Sequence, residues 1–118
     1  MINRFLFEAN FLNRITVHGT GKQHRPFIHI DKAATILSRL ANEPLLSGTY
    51  NLVEQNMPVG EVVEKLRVLY PSLEMLFVNQ HMNMRELKVK GSTDLLGLLD
   101  TKKDFTEELR DFKAVFTF

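Results

Sequence analysis

The sequence predicts a mixed α/β fold in one unit spanning residues 1–118, an α+β-like fragment. Three observations lead there. Segments with apolar residues every three or four positions alternate with short β-branched runs. No internal repeat, low-complexity tract or long linker divides the chain. At 118 residues it is long enough for one real core, a domain of this size burying roughly 65 % of its unfolded surface.

Residues 2–13 place Ile2, Phe5, Leu6, Ala9 and Leu12 on one helical face. Ile15 to Gly19 reads as a short strand, and Gly19-Thr20-Gly21 as the turn that ends it. Phe27-Ile28-His29-Ile30 reads as a second strand, with Asp31 in the N-cap position of the next helix, where a carboxylate accepts an orphan backbone N–H. That helix runs from Lys32 to about Ala41, points Ala34, Ile36, Leu37 and Leu40 inward, and stops before Pro44.

Gly48 to Val53 carries a strand signal bounded by glycine and the polar pair Glu54-Gln55. Residues 58–70 predict a helix: Pro58 suits its first turn, and Val59, Val62, Val63, Leu66 and Leu69 form its stripe. Leu73 to Val78 predicts a strand. Two helices close the chain, over Asp94 to Leu99 and Phe105 to Phe116; the second turns Leu109, Phe112 and Phe116 to one side and starts with the capping sequence Asp104-Phe-Thr-Glu.

Composition removes several function classes. Fifteen basic against fourteen acidic residues give a net charge of +1, so no global field favours nucleic acid or an anionic membrane. Residues 1–26 hold four Lys/Arg against one acid, but no aromatic platform interleaves them. The absence of cysteine excludes disulfides, thiolate metal sites and cysteine nucleophiles. Arg4, Glu8 and Arg14 interrupt the apolar N-terminal stretch before a signal-peptide core forms, and no run reaches the roughly 20 uncharged residues of a membrane span. A cytoplasmic setting is expected.

No serine lies in a Gly-x-Ser-x-Gly elbow. The histidines, His18, His24, His29 and His81, form no His-x-x-x-His pair for zinc, although His18 and His29 would approach each other if their strands paired. Gly19-Thr20-Gly21 is too short for a dinucleotide cradle, and Lys-Gln-His-Arg-Pro after it cannot open a helix. Tyr50 and Tyr70 are followed four positions on by Glu54 and Glu74, so neither belongs to a Tyr-x-x-x-Lys acid/base pair. No catalytic residue, metal ligand or cofactor-binding residue is expected in the chain.

The informative stretch is Ile15 to Asp31: a strand, a polar glycine turn, one arginine, and Phe-Ile-His-Ile ending on an acid. Gly19, Gly21, Gln23, Arg25, Phe27, Ile28, His29 and Asp31 fall in order on a Gly-x-Gly-x-Gln-x-Arg turn followed by Phe-Ile-His-Val-Asp. Gly48-Thr-Tyr-Asn-Leu also resembles a Gly-x-Tyr-Asn-Val strand. Together these resemble the extended short-chain dehydrogenases, the family of NAD-dependent nucleotide-sugar epimerases and dehydratases, over residues 1 to about 70. The resemblance departs at Lys32, where a second acid is usual, and at Pro26, which replaces the common acid after the arginine.

The resemblance implies the C-terminal substrate-binding part of such a fold, lacking most of the Rossmann sheet. The strand ahead of the glycine turn would offer backbone groups of Thr16, Val17 and His18 to a nucleobase. Arg25 would hold the diphosphate, joined by Arg85. The substrate is expected to be a nucleotide sugar, and NAD or NADP would serve the intact protein, bound by an N-terminal Rossmann part rather than by this chain. Read from the residues alone, Arg25 could instead pair with Asp31, Thr16 to His18 could be plain sheet residues, and Arg85 could join Lys88 and Lys90 on a solvated basic face. Self-association through uncovered apolar faces is also expected, and a truncated, non-catalytic interaction domain of the same family is the alternative function.

Overall fold

The computed structural model describes residues 1–44, 47–100 and 103–115. Along the chain run α1 (Ile2–Leu12), β1 (Arg14–His18), β2 (His24–Phe27), α2 (Ile30–Leu40), β3 (Gln55–Pro58), α3 (Val59–Leu69), β4 (Glu74–Val78), α4 (Thr93–Leu96) and α5 (Phe105–Val115). Among the described residues the strands form two separate two-stranded ribbons. β1 and β4 pair in parallel from Arg14↔Glu74 to His18↔Val78. β2 and β3 pair antiparallel from His24↔Pro58 to Phe27↔Gln55. The fold class is the mixed α/β class that the sequence predicts.

The core lies between the inner face of the parallel ribbon and α1, α3 and α5. Period-two alternation sends Ile15 and Val17 inward, where they meet Phe5, Leu6 and Ala9 of α1 and Val59, Val62, Val63 and Leu66 of α3. Leu109 closes this cluster from α5, with Phe105 and Phe112 packed against it. Phe116 lies outside the described residues. At the start of α5 the Glu107 amide donates to the Asp104 carboxylate at 2.8 Å, and the Asp104 amide donates to the Glu107 carboxylate at 2.9 Å. Replacing Asp104 with alanine should therefore lower stability by about 1 kcal/mol, read as a shift in urea midpoint at unchanged slope.

Several expectations are corrected. The second strand occupies His24–Phe27, not residues 27–30, and His29 rather than Asp31 caps α2, its Nδ1 accepting the Asp31 N–H at 3.2 Å. Asp31 instead sits in the first turn, where its charge complements the helix N-terminus. Leu12, Ala34 and Leu37 are exposed; on α2 only Ile36 and Lys32 are buried. Among the described residues, 48–53 form no strand: the Asn51 carbonyl accepts from the Ser92 N–H at 3.2 Å, but no ladder of such bonds develops, and β3 begins at Gln55. The first of the two C-terminal helices is only Thr93–Leu96, with Ser92 as its cap. His18 and His29 are not brought together, since β1 pairs with β4 rather than with β2.

The radius of gyration is 16.1 Å, against about 13.5 Å for a compact domain of this length. The extra surface is partly apolar: Phe7 and Phe11 on α1 stack at 4.8 Å yet remain about half exposed, and Leu37 on α2 is 61 % exposed.

Candidate functional site

At the carboxyl end of β1 the chain turns through Gly19 and Gly21, both at φ 76°, a conformation that disfavours side chains. The turn is fixed on three sides. The Gly19 N–H donates to the Val78 carbonyl at 2.8 Å, and the Gly60 N–H in the first turn of α3 donates to the Gly21 carbonyl at 2.8 Å. Gln23 reaches back to donate to the His18 carbonyl at 2.8 Å. A Cβ on Gly19 would lie 2.3 Å from the Met84 side chain, so the missing side chain is what admits Met84. Because Val59 and Gly60 donate to the carbonyls of Gln23 and Gly21, these two amides of α3 hold the turn rather than pointing at a ligand.

From this turn β2 leads straight to Arg25, opposite Met57. Its Nη1 donates to the carbonyls of His24 and Arg85, each at 2.7 Å. No described carboxylate forms an ion pair with Arg25. The Arg85 side chain is exposed. The two arginines singled out from sequence are thus adjacent, joined by a bond from one guanidinium to the other's backbone, in a segment sixty residues further on.

The backbone of β1 is less open. On its outer edge the Thr16 N–H donates to Glu8 Oε2 at 3.0 Å and the Thr16 carbonyl accepts from Arg4 at 3.1 Å; Arg4 and Glu8 are themselves paired at 3.4 Å. Val17 is buried, and the alternation turns its backbone toward β4. The exposed His18 places its ring 3.4 Å from Asn79, the residue that follows β4 in a left-handed conformation. Of the three, His18 is the residue whose side chain reaches solvent beside the glycine turn.

The segment after β4 straps the antiparallel ribbon. Leu87 donates to the His24 carbonyl at 3.2 Å, and Glu86 accepts from His24 at 2.7 Å and lies 3.2 Å from Lys88. Hydrogen bonds from Lys88 and His24 hold the Glu86 carboxyl below its ordinary pKa. Asn56 makes two bonds to Val89: its amide donates to the Val89 carbonyl and its oxygen accepts the Val89 N–H, both at 2.9 Å. Gly91 then passes so close to Val53 that a Cβ would stand 2.1 Å from the Val53 carbonyl oxygen.

A second polar centre escaped sequence reasoning. Lys32, 3 % exposed, donates to Glu54 at 2.5 Å and to the Lys103 carbonyl at 3.0 Å, and pairs with Glu108 at 2.6 Å. Burial pulls the ammonium pKa down, but the hydrogen bonds and charges of Glu108 and Glu54 outweigh it and hold it above the ordinary value. The departure at position 32 thereby ties α2 to α5 and to the segment entering β3. Only a lysine on an otherwise apolar helix face could have signalled it.

An apolar hollow of about 180 Å³, walled by Phe27, Ile28, Ile30, Phe105 and Phe112, shares no residue with the arginine site. Among the described residues no group of three or more His, Asp or Glu is placed to hold a metal ion. No described helix is long and apolar enough to cross a membrane. The glycine turn runs into a strand rather than into the helix N-terminus that follows the turn of a dinucleotide fold.

No protein-family model matches the chain, and no curated protein does. Among solved structures it is similar to TunA, an NAD-dependent NDP-hexosamine 5,6-dehydratase involved in tunicamycin biosynthesis, with a TM-score of 0.77 at 23 % identity. What the two share is a fold. The superposition covers 96 % of this chain and 38 % of that protein, so the chain spans well under half of its neighbour's length.

Proposed function

We propose that this chain is the nucleotide-sugar-gripping portion of an NAD-dependent epimerase or dehydratase. Arg25 and Arg85 would hold the diphosphate, and the carboxyl end of β1, at Thr16, Val17 and His18, would meet the base. The observation that carries the reading is the adjacency of Arg25 and Arg85 beside the Gly19–Gly21 turn, with no described carboxylate paired to Arg25. A guanidinium held only by neutral carbonyls keeps its charge for an anion, and its planar fork meets phosphate oxygens in pairs.

Such a grip orients a remote sugar carbon and contributes no chemistry itself. The nicotinamide, which takes up hydride when bound, belongs to a dinucleotide-binding part outside these residues; the fold shared with TunA supports that division. Contact between the base and the Thr16 backbone requires the Arg4–Glu8 pair to swing off the β1 edge. The exposed His18 ring requires no such movement, whereas its carbonyl already accepts from Gln23.

Calorimetric titration of the chain with UDP tests the reading. Arg25→Ala should weaken binding about tenfold or more, as expected for losing a charge-assisted bond. Unchanged affinity would remove the diphosphate role. A second reading, a truncated non-catalytic interaction domain of the same family, draws support from the half-exposed Phe7 and Phe11, which form an apolar face suited to another copy or another body. Binding of UDP by the chain counts against that reading.

A further inference from the structure

Resting on the reading above, we infer that Asn56 is a positioning residue: its side chain holds the strap of residues 84–90 in register and so keeps Arg85 beside Arg25. The reason begins with Pro26. Val59 donates across the ribbon to the Gln23 carbonyl, so odd-numbered positions of β2 bond toward β3 and even-numbered ones face outward. The strap uses the first outward position, the Leu87 N–H donating to the His24 carbonyl. At the next outward position stands Pro26, which has no N–H to offer. The strap cannot continue along β2 as a third strand.

Asn56 is Pro26's partner across the ribbon. Its carboxamide carries a donor and an acceptor on one plane, the same pair of groups that a strand residue presents. It gives both to Val89, at 2.9 Å each. The side chain thus does for the strap what the backbone beside Pro26 cannot. The other described anchors of this stretch are single polar bonds: His24 to Glu86, Asn51 to the Lys90 carbonyl at 3.3 Å, and Arg25 to the Arg85 carbonyl. That last bond belongs to the ligand-holding residue itself, so an anion drawing on Arg25 competes with it. Asn56 keeps Arg85 in place independently of Arg25.

The test uses the full chain and UDP as probe. In hydrogen exchange, Asn56→Ala should speed exchange of the Leu87 and Val89 amides about tenfold while the amides of α3 stay unchanged. In calorimetry the same substitution should weaken UDP binding roughly tenfold, the size expected from losing two ordinary hydrogen bonds. It should have no further effect in an Arg85→Ala background, because the strap acts through Arg85. Asn56→Asp, isosteric but without the donor, should fall between parent and alanine variant, and keeps the test open if the alanine variant unfolds. Unchanged exchange at Leu87 and Val89 in both variants overturns the inference, as does an equal loss of affinity with and without Arg85. If the parent binds no UDP, the nucleotide reading falls, and the exchange comparison alone decides whether Asn56 holds the strap.

Discussion

Lys32→Ala is expected to lower the unfolding free energy by about 3–5 kcal/mol, because it leaves two carboxylates without their cation in a largely buried place. Glu108 is 6 % exposed, and Glu54 already has one buried oxygen, Oε2, with no hydrogen-bond partner among the described residues. Chemical denaturation of parent and variant measures the loss. The triple change Lys32→Met, Glu54→Gln, Glu108→Gln should recover most of it, since a neutral cluster escapes the desolvation penalty that a broken ion pair retains. A variant as stable as the parent would mean that water reaches the cluster freely. The pH dependence has a definite sign. With its folded pKa raised above the ordinary 10.5, Lys32 contributes fully below that value, and its contribution is lost as pH rises through the folded pKa. The contribution of Lys32 should therefore hold through neutrality and be lost in alkali.

Phe5→Ala is expected to cost about 3–5 kcal/mol, the usual range for emptying an aromatic site in a packed core. Phe5 is 1 % exposed and stands among Leu6, Ile15, Val17, Val62 and Leu66. Two positions on, Phe7 is 50 % exposed, and its truncation should change stability by no more than about 0.5 kcal/mol. Denaturant midpoints of the two variants give the comparison. Equal effects would mean that α1 docks through a different face. A loosened α1 would also release Arg4 and Glu8 from the Thr16 backbone, so the β1 amides should exchange faster in Phe5→Ala than its global destabilisation alone explains.

The elements that could be read from sequence were those whose determinants are local. The apolar stripe of α3 is complete within eleven residues, and Val59, Val62, Val63 and Leu66 are all buried as read. The alternation of β1 and the reciprocal Asp104–Glu107 cap are local in the same sense. Gly48 to Val53 has the composition of a strand, but a strand is a pairing, and the sequence does not say whether a neighbour exists. The more apolar run Phe27-Ile28-His29-Ile30 starts three residues past the true start of β2, because the antiparallel ribbon tolerates Pro26 at a position facing away from β3. In the site, Arg25 and Arg85 were legible as candidates. Their adjacency, the Asn56 brace and the Lys32 cluster depend on contacts between residues far apart in the chain, and the strap itself has no periodicity to betray it.

The parallel ribbon sets a condition on how the molecule assembles. Its partners, such as Arg14 and Glu74, lie 60 residues apart, and the whole β2–α2–β3–α3 stretch intervenes. The loop-closure entropy of that span must be met before any bond of the ribbon forms, which places its formation late and makes folding slow for a chain of this length. A single backbone nick near Pro44 would leave α1 and β1 on one piece and β4 on the other, and neither piece could rebuild the central ribbon alone.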